Sequence, residues 1–274
     1  MVRLGGTASS SHMEVFQGLE KLFRNRGIDL DWVLYSGYDN MVDAFVRGEI
    51  DLAWNGPLSH VKMRRLAADG CRVIAMRDVD INFTTHFIAR AGSGIETVED
   101  LKDKSFAFGN RSSVQAGLLA YSFLKDSGID PRKDLVISSF CDDRDPQSKS
   151  DERDVVERVA SGEFHAGAVS QRAMETMTAD GTLPRDDVRI FWSSPGYSHC
   201  CFTSQKDLDP KLALEIESAF LSVTSDDPVG KQVLDGEACN HFVSGADEGW
   251  DLIEKAAEAE GLSNPKRTKG SSPL

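Results

Sequence analysis

The feature of this 274-residue chain that most constrains its fold is an alternation of short apolar runs with helix-like segments. Apolar, β-branched runs at residues 2–4, 30–35, 50–54 and 71–76 predict strands, and residues 13–23 carry apolar side chains at helical spacing. Glycines that follow the helical segments act as helix stops. Because strands alternate with helices in this way, the pattern predicts an α/β fold.

A second cycle of the same kind begins near residue 104. Strands are predicted at 105–108, 135–137 and 164–169, with helices after residue 113 and near 151–160. A chain of this length has room for about two domains of roughly 150 residues each. The two cycles therefore predict two comparable α/β lobes.

The last part of the chain is predicted to be helical, and two further segments resemble crossovers between the lobes. The helices are expected within residues 210–221, 228–234 and 248–258. The two crossover segments are residues 83–89 and 198–203. The end of the chain, residues 263–274, is rich in Lys, Ser and Pro and is predicted to be a disordered tail.

The charge balance excludes several classes of partner. The chain carries 31 basic and 44 acidic residues, a net charge of −13, which disfavours binding to nucleic acid or to anionic membrane surfaces. The sequence has no apolar run long enough for a membrane span. A small anion held by local dipoles remains compatible with this charge.

The cysteines and the N-terminus bear on the compartment. The number of cysteines is odd, five, and no CxxC or zinc-type Cys/His spacing occurs, which favours reduced thiols in the cytoplasm. The first residues lack the basic and long apolar regions of a signal peptide. We therefore expect a cytoplasmic protein, or a periplasmic one from which a signal peptide was removed.

The turn after the strand at 105–108 is the sharpest candidate for ligand binding. It contains Ser112 and Ser113 directly before a helix, with Gln115 in the first helical turn. Backbone N–H groups, serine hydroxyls and the helix dipole together favour a bound anion. The alternative interpretation is simple N-capping of the helix by Ser112 or Ser113.

Other strand ends supply further polar candidates, since ligands of open α/β sheets bind beyond the carboxyl ends of the strands. Ser9 and Ser10 follow the first strand, Tyr38 follows the second, and Asn55 follows the third. Each has a structural alternative: the serines and Asn55 could cap helices, and Tyr38 could be a packed aromatic residue.

The crossover segments contribute His86 and His199, either of which could donate a hydrogen bond to an anion or be a structural histidine. His199 is followed by Cys200 and Cys201. Since neighbouring residues of a strand point to opposite faces, only Cys201 is expected to share a face with His199. No second pair of ligands lies nearby in the sequence, so neither a metal site nor a cofactor is predicted. The charge run at residues 151–154 is interpreted as a helix start that complements the dipole.

Three segments resemble the phosphate/phosphite/phosphonate-binding proteins of ABC importers. Residues 48–59 (GEIDLAWNGPLS) are similar to that family's GxxDxAxxGPxS segment, and residues 110–117 (NRSSVQAG) to its serine-rich anion loop. Residues 193–197 (SSPGY) and 206–210 (KDLDP) resemble its return crossover and the following helix. The order and spacing match over about residues 1–235.

The resemblance implies a type II periplasmic-binding-protein fold that binds a small anion in a cleft without catalysis. Lobe one would comprise 1–85 and 200–262, and lobe two 86–199. The family's ligand positions carry over to Tyr38, Asn55, Ser112 and Ser113, with His86 and Gln115 beside them. The implied partners are phosphate, a phosphonate or a related oxyanion, and an ABC permease or a cytoplasmic protein.

Two alternatives remain open at this point. One is an enzyme on the same fold, similar to the thiamine-pyrimidine synthases, that uses residues 199–201. The other is a regulatory domain that passes its ligand state to a partner protein.

Overall fold

A computed structural model of the chain describes residues 1–148 and 150–262, with the side chain of Ser10 excepted. The chain divides into two compact units. Unit 1 contains Met1–Asn82 and Tyr197–Glu254, and unit 2 contains Phe83–Gly196 together with the chain from Lys255. Each unit is built on its own sheet, in agreement with the predicted two-lobe α/β class.

The described residues form eleven strands and ten α-helices. The strands are β1 (Val2–Thr7), β2 (Leu30–Tyr35), β3 (Leu52–Asn55), β4 (Cys71–Arg77), β5 (Thr85–Arg90), β6 (Ser105–Phe108), β7 (Ile137–Phe140), β8 (Ala166–Ser170), β9 (Val188–Ser193), β10 (Cys201–Gln205) and β11 (Phe242–Ser244). The helices are α1 (Ser10–Arg24), α2 (Tyr38–Val46), α3 (Pro57–Leu66), α4 (Leu119–Asp126), α5 (Cys141–Arg144), α6 (Asp151–Ser161), α7 (Gln171–Ala179), α8 (Pro210–Leu221), α9 (Pro228–Glu237) and α10 (Asp251–Ala259).

The six-stranded sheet of unit 1 has the order β11-β4-β10-β3-β1-β2. β1 pairs in parallel with both β2 and β3, which requires the helical crossovers that the sequence pattern predicts. β10 returns from the far end of the chain and inserts antiparallel between β3 and β4. Its register places Cys201 opposite Asn55 on one side and opposite Met76 on the other.

β1 is longer than the strand predicted at residues 2–4, because Gly5, Gly6 and Thr7 continue the strand. A Cβ atom on Gly6 would lie 2.6 Å from the Phe16 ring, and one on Gly5 would lie 2.5 Å from Ile50 Cδ1. These glycines therefore allow neighbouring side chains to pack directly on the strand backbone. The turn starts only after Thr7.

The five-stranded sheet of unit 2 has the order β7-β6-β8-β5-β9. β6 pairs in parallel with β7 and β8, and β5 lies antiparallel between β8 and β9. The strand predicted at 135–137 starts instead at Ile137, because its pairing with β6 brings Phe140 against Phe108, with ring centroids 4.7 Å apart.

The two segments predicted as crossovers are strands in the sheets of their own units. Residues 83–89 lead into β5 of unit 2, and residues 198–203 lead into β10 of unit 1. Each strand has a partner on both sides, so its backbone hydrogen bonds are satisfied within the sheet.

Each unit has its own apolar core. In unit 1, α1, α8 and α9 pack on the sheet around Phe16, Phe202 and Phe220, all of which are fully buried. In unit 2, α6 packs on β8 through Val155 and Val159.

The end of the chain differs from the predicted boundary. Residues from Lys255 group with unit 2, although lobe one was expected to extend to residue 262. The cause is local, since Lys255 pairs with Asp126 at 2.8 Å and Glu260 pairs with Lys125 at 2.8 Å. The predicted disordered tail, 263–274, lies outside the described residues.

Two further predictions concern membrane-spanning helices and the state of the cysteines. Among the described residues, no helix combines the length and apolar character needed to cross a membrane. All five cysteines lie within the described part of the chain and are free thiols.

Candidate functional site

The polar residues of unit 1 gather where β3 and β4 end and β10 begins. The antiparallel register brings the start of β10 beside Asn55 and beside the end of β4. Tyr38, at the start of α2, lies close to the same edge, within electrostatic range of Cys200, Arg77 and Glu237. We call this set of strand ends the unit 1 edge.

Tyr38 is suited to donate a hydrogen bond at the unit 1 edge. Its hydroxyl lies near the Thr7 side chain, while 47% of the residue remains exposed. Burial of the hydroxyl end raises the pKa of Tyr38, and the nearby Cys200 sulfur raises it further, so the phenol stays protonated.

Ser9 is the N-cap of α1, and its hydroxyl accepts a hydrogen bond of 3.0 Å from the His12 N–H. The capping alternative therefore describes Ser9 in this structure. Ser10 is the first residue of α1, and its side chain lies outside the described part of the molecule.

Asn55 is buried, and its role as a ligand contact stays a prediction. Only 2% of the residue is exposed, and its Nδ2 donates to the backbone oxygens of Ala53 and Cys201 and to Thr203 Oγ1. Thr203 also bonds His60 Nδ1 at 2.9 Å. The Asn55 amide nitrogen thus fastens β10 to β3, whereas Asn55 Oδ1 has no hydrogen-bond partner among the described residues.

His199 lies between a carboxylate and a thiol. Its Nδ1 atom is 3.1 Å from Asp80 Oδ1 and 3.2 Å from Cys200 Sγ. The expectation that only Cys201 shares a face with His199 is wrong. Cys200 lies before β10, so the alternation of side chains along a strand does not apply to it. Cys201 is instead fully buried, with Sγ 3.5 Å from Thr203 Oγ1.

Charge governs the protonation of His199. Burial alone would lower its pKa, but the Cys200 sulfur and the Asp80 carboxylate outweigh that effect and raise the pKa of His199 to about 10. The imidazole is therefore positively charged at neutral pH.

Arg77 links two buried carboxylates at this edge. Its guanidinium donates to both oxygens of Asp80, at 2.5 and 3.0 Å, and lies 3.6 Å from Glu237 Oε2. Its plane also lies over the Trp54 ring at 5.1 Å. Burial raises the pKa of Glu237 to about 7, although Arg77 opposes that rise, and Glu237 Oε1 has no hydrogen-bond partner among the described residues.

In unit 2, the predicted serine loop lies between β6 and a short π-helical turn, Val114–Leu118. Ser113 caps this turn by accepting a hydrogen bond of 3.2 Å from the Ala116 N–H. Ser112 is exposed, and neither its hydroxyl nor its N–H makes a hydrogen bond within the described part of the chain. Gly117 is required here, because a Cβ atom would lie 2.3 Å from Asn110 O.

Carboxylates already occupy part of the expected anion cradle, which is a correction to the prediction. The Asn110 N–H donates to Asp151 Oδ2 at 2.8 Å, and the Arg111 N–H donates to Asp142 Oδ2 at 2.6 Å. The Arg111 guanidinium is paired in bidentate fashion with Asp143. The donors that the loop leaves for a ligand are therefore the hydroxyl and the N–H of Ser112.

Gln115 takes part in hydrogen bonds through its backbone and its side chain. Its carbonyl oxygen accepts from Thr85 Oγ1 at 2.9 Å, and its side chain bonds Glu152. Glu152 also accepts a hydrogen bond from the Ser170 N–H at the end of β8. Burial raises the pKa of Glu152, and the Asp151 carboxylate raises it further.

His86 is partly exposed on β5. Its Nδ1 lies 2.8 Å from Ser193 Oγ, and burial lowers its pKa. The imidazole is therefore neutral at pH 7, and its role as a ligand contact stays a prediction.

Several polar residues of the two edges were not found from the sequence. The set is Arg77, Asp80, Asp142, Glu152 and Glu237. Asp151 and Glu152 were noticed only as a charge run at a helix start. The available signal was local: the cluster R-D-V-D at 77–80 directly follows a predicted strand.

The fold and the polar strand ends define a solute-binding protein built from two α/β units. A sequence model described as the periplasmic substrate-binding protein of phosphonate ABC transporters matches residues 9–250, and the chain belongs to this phosphonate-binding family. The predicted resemblance and the predicted fold class are thereby confirmed.

The relatives agree with this assignment. The probable ABC transporter phosphite-binding protein PhnD1 of Prochlorococcus marinus (strain MIT 9301) is 25% identical over 246 residues, covering 86% of this chain and 80% of that protein. The structure of the Prochlorococcus PhnD1 protein with methylphosphonate superposes with a TM-score of 0.70 at 21% identity, covering 95% of this chain and 98% of that one. A Xanthomonas citri protein solved with ATP gives 0.71 at 16% identity, covering 96% and 97%.

The family consists of transport components rather than enzymes. The prediction of binding without catalysis is therefore confirmed, and the enzyme alternative is not supported. The geometry agrees, because Asp80 and Cys200 approach the same nitrogen of His199. A nucleophile–base–carboxylate relay uses the two opposite ring nitrogens.

Proposed function

We propose that this chain binds a small phosphorus oxyanion, namely phosphate, a phosphonate or a related species, and delivers it to the permease of an ABC transporter. The main support is that the hydroxyl and the N–H of Ser112, at the start of a helical turn, are both available to a ligand. The chain also belongs to the phosphonate-binding family. The names of the relatives, a phosphite-binding protein and a structure with methylphosphonate, support the same chemistry. The family description favours the periplasm, and the compartment stays a prediction.

At unit 2, the proposal assigns the oxyanion contact to the Ser112 hydroxyl and N–H. The Asp142 and Asp151 carboxylates hold the two preceding N–H groups and thereby fix the loop. Ser113 acts in support, because its cap fixes the first helical turn.

At unit 1, the proposal assigns a contact to the Tyr38 hydroxyl. This group is protonated at neutral pH and lies near the Thr7 side chain. His199 adds a nearby positive charge, which favours an anion at this edge.

Isothermal titration with phosphate, phosphite, methylphosphonate and sulfate tests the proposal. We expect one phosphorus oxyanion to bind with 1:1 stoichiometry, and Ser112→Ala to weaken it by about tenfold, the size of one hydrogen bond to a charged group. Tyr38→Phe should weaken it by a similar factor.

Ser218→Ala is the matched control, because Ser218 is an exposed serine on α8. It should leave affinity unchanged. Absence of binding by all three phosphorus oxyanions, or equal affinity of Ser112→Ala and the original chain, would contradict the proposal. The transport role predicts that the permease is retained by the ligand-bound chain and not by the ligand-free chain.

A further inference from the structure

Three metal-ligating side chains converge on one point of the unit 1 edge. The Asp80 oxygen, the His199 Nδ1 atom and the Cys200 sulfur all lie within 4.8 Å of one another. Asp80 is fully buried, and His199 and Cys200 are partly buried. We propose that Asp80, His199 and Cys200 form a binding site for one Zn²⁺ ion. This inference goes beyond the oxyanion proposal and does not depend on it.

The spacing of the donor atoms matches zinc coordination. Typical Zn–N, Zn–O and Zn–S bonds in a tetrahedron place nitrogen about 3.3 Å from oxygen and about 3.5 Å from sulfur. The corresponding distances here are 3.1 Å from His199 Nδ1 to Asp80 Oδ1 and 3.2 Å from Nδ1 to Cys200 Sγ. These two separations would reach the zinc values with shifts of a few tenths of an ångström, and the third pair, Asp80 and Cys200, lies within 4.8 Å.

The donor types select the metal. A thiolate with an imidazole favours Zn²⁺ over Mg²⁺ or Ca²⁺, which prefer oxygen ligands only. Three protein ligands leave a fourth tetrahedral position for an oxygen atom from water or from an anionic solute.

The surroundings hold the ligands in place. Arg77 donates to both oxygens of Asp80, and the His199 N–H donates to the Asp80 backbone oxygen at 3.0 Å. Groups behind the ligands that fix their orientation are a regular part of zinc sites.

The local charge also fits a divalent ion. In the metal-free chain the positive charges of Arg77 and His199 lie beside the Asp80 carboxylate. Zn²⁺ bound to a neutral His199 imidazole and a Cys200 thiolate would take the place of two protons, so the net charge of this buried group would not change.

The test uses the full chain, reduced, without an affinity tag and freed of metal with a chelator. Zn²⁺ is titrated against a chromophoric competitor, and Co²⁺ is added separately as a spectroscopic probe. We expect one equivalent of Zn²⁺ to bind, and the Co²⁺ form to show a thiolate charge-transfer band. Cys200→Ser should abolish that band, and both Cys200→Ser and His199→Gln should weaken Zn²⁺ binding by at least about tenfold.

Cys71→Ser is the matched control, since Cys71 is a partly buried free thiol of the same unit. It should bind Zn²⁺ as the original chain does. The proposal is overturned if the original chain takes up no stoichiometric Zn²⁺, if its Co²⁺ form lacks the thiolate band, or if Cys200→Ser binds Zn²⁺ as tightly. The first two results do not depend on whether any variant folds.

Repeating the oxyanion titration with chelator and with one equivalent of Zn²⁺ separates the two proposals. Oxyanion binding in a chain that takes up no Zn²⁺ overturns the metal site alone. Zn²⁺ binding without a response to any phosphorus oxyanion overturns the proposed ligand class alone.

Discussion

Arg77 and Arg111 both form bidentate pairs with a carboxylate at a strand-end edge, yet their surroundings differ. Arg77 and Asp80 of unit 1 have side chains 14% and 0% exposed, whereas Arg111 and Asp143 of unit 2 have side chains 30% and 53% exposed. The same kind of Arg–Asp ion pair is thus part of the core in unit 1 and part of the surface in unit 2. Burial therefore decides whether an edge rich in charge stabilises the fold or remains available to solutes.

The largest expected effect comes from breaking the two pairs. Arg77→Met removes one of the two cationic partners of buried Asp80 and leaves only His199, which should destabilise the protein by up to about 3–5 kcal/mol. Arg111→Met removes an exposed pair and should cost less than about 1 kcal/mol. Urea unfolding followed by tryptophan fluorescence, with a chelator present, measures both, and equal losses would remove the distinction between the edges.

The second prediction compares a buried histidine of unit 1 with a partly exposed histidine of unit 2 through the pH dependence of stability. Burial lowers the pKa of His60 to about 3, whereas an unfolded chain protonates histidine near 6.5. Between these values the unfolded state binds the additional proton, so stability is complete above pH 6.5 and falls with acid, by up to about 1.4 kcal/mol per pH unit from this group.

Unfolding at pH 7, 5.5 and 4.5 should therefore show a gentler acid slope for His60→Gln than for the original chain. His86→Gln is the control from unit 2, because His86 is partly exposed, and it should change the slope less. Identical slopes for the original chain and His60→Gln would refute the buried neutral state of His60.

The smallest expected effect concerns the charge of the unit 2 loop. Asp151→Asn keeps an acceptor for the Asn110 N–H but removes a negative charge, which should raise oxyanion affinity about fivefold, or by about 1 kcal/mol. Asp100→Asn, at another backbone-bonded turn of unit 2, should leave affinity unchanged in the same titration. A loss of affinity in Asp151→Asn would instead show that the carboxylate contacts a donor on the ligand.

Periodicity was sufficient to predict the α/β class, because helix and strand patterns repeat locally and do not depend on distant contacts. The segment at 48–59 and the serine loop at 110–117 likewise indicated the family from short stretches of sequence. These features were predictable because residues close in the chain carry them.

The rest depends on contacts between residues far apart in sequence. Asn55 follows a strand as a ligand residue would, yet its partners Cys201 and Thr203 lie nearly 150 positions away. The unit 1 cluster joins Asp80 to His199, and no spacing rule relates the two. In the same way, Gly5 and Gly6 resemble a turn until the Phe16 ring is placed over the strand.

The insertion of β10 between β3 and β4 has a consequence for synthesis on the ribosome. When residues 1–82 have emerged, four of the six strands of unit 1 exist, but β4 has no partner until β10 and β11 follow more than a hundred residues later. All five strands of unit 2 lie in the uninterrupted stretch 83–196. We therefore expect the second sheet to be completed before the first, with the exposed edges of β3 and β4 as the segment of the nascent chain most open to mispairing.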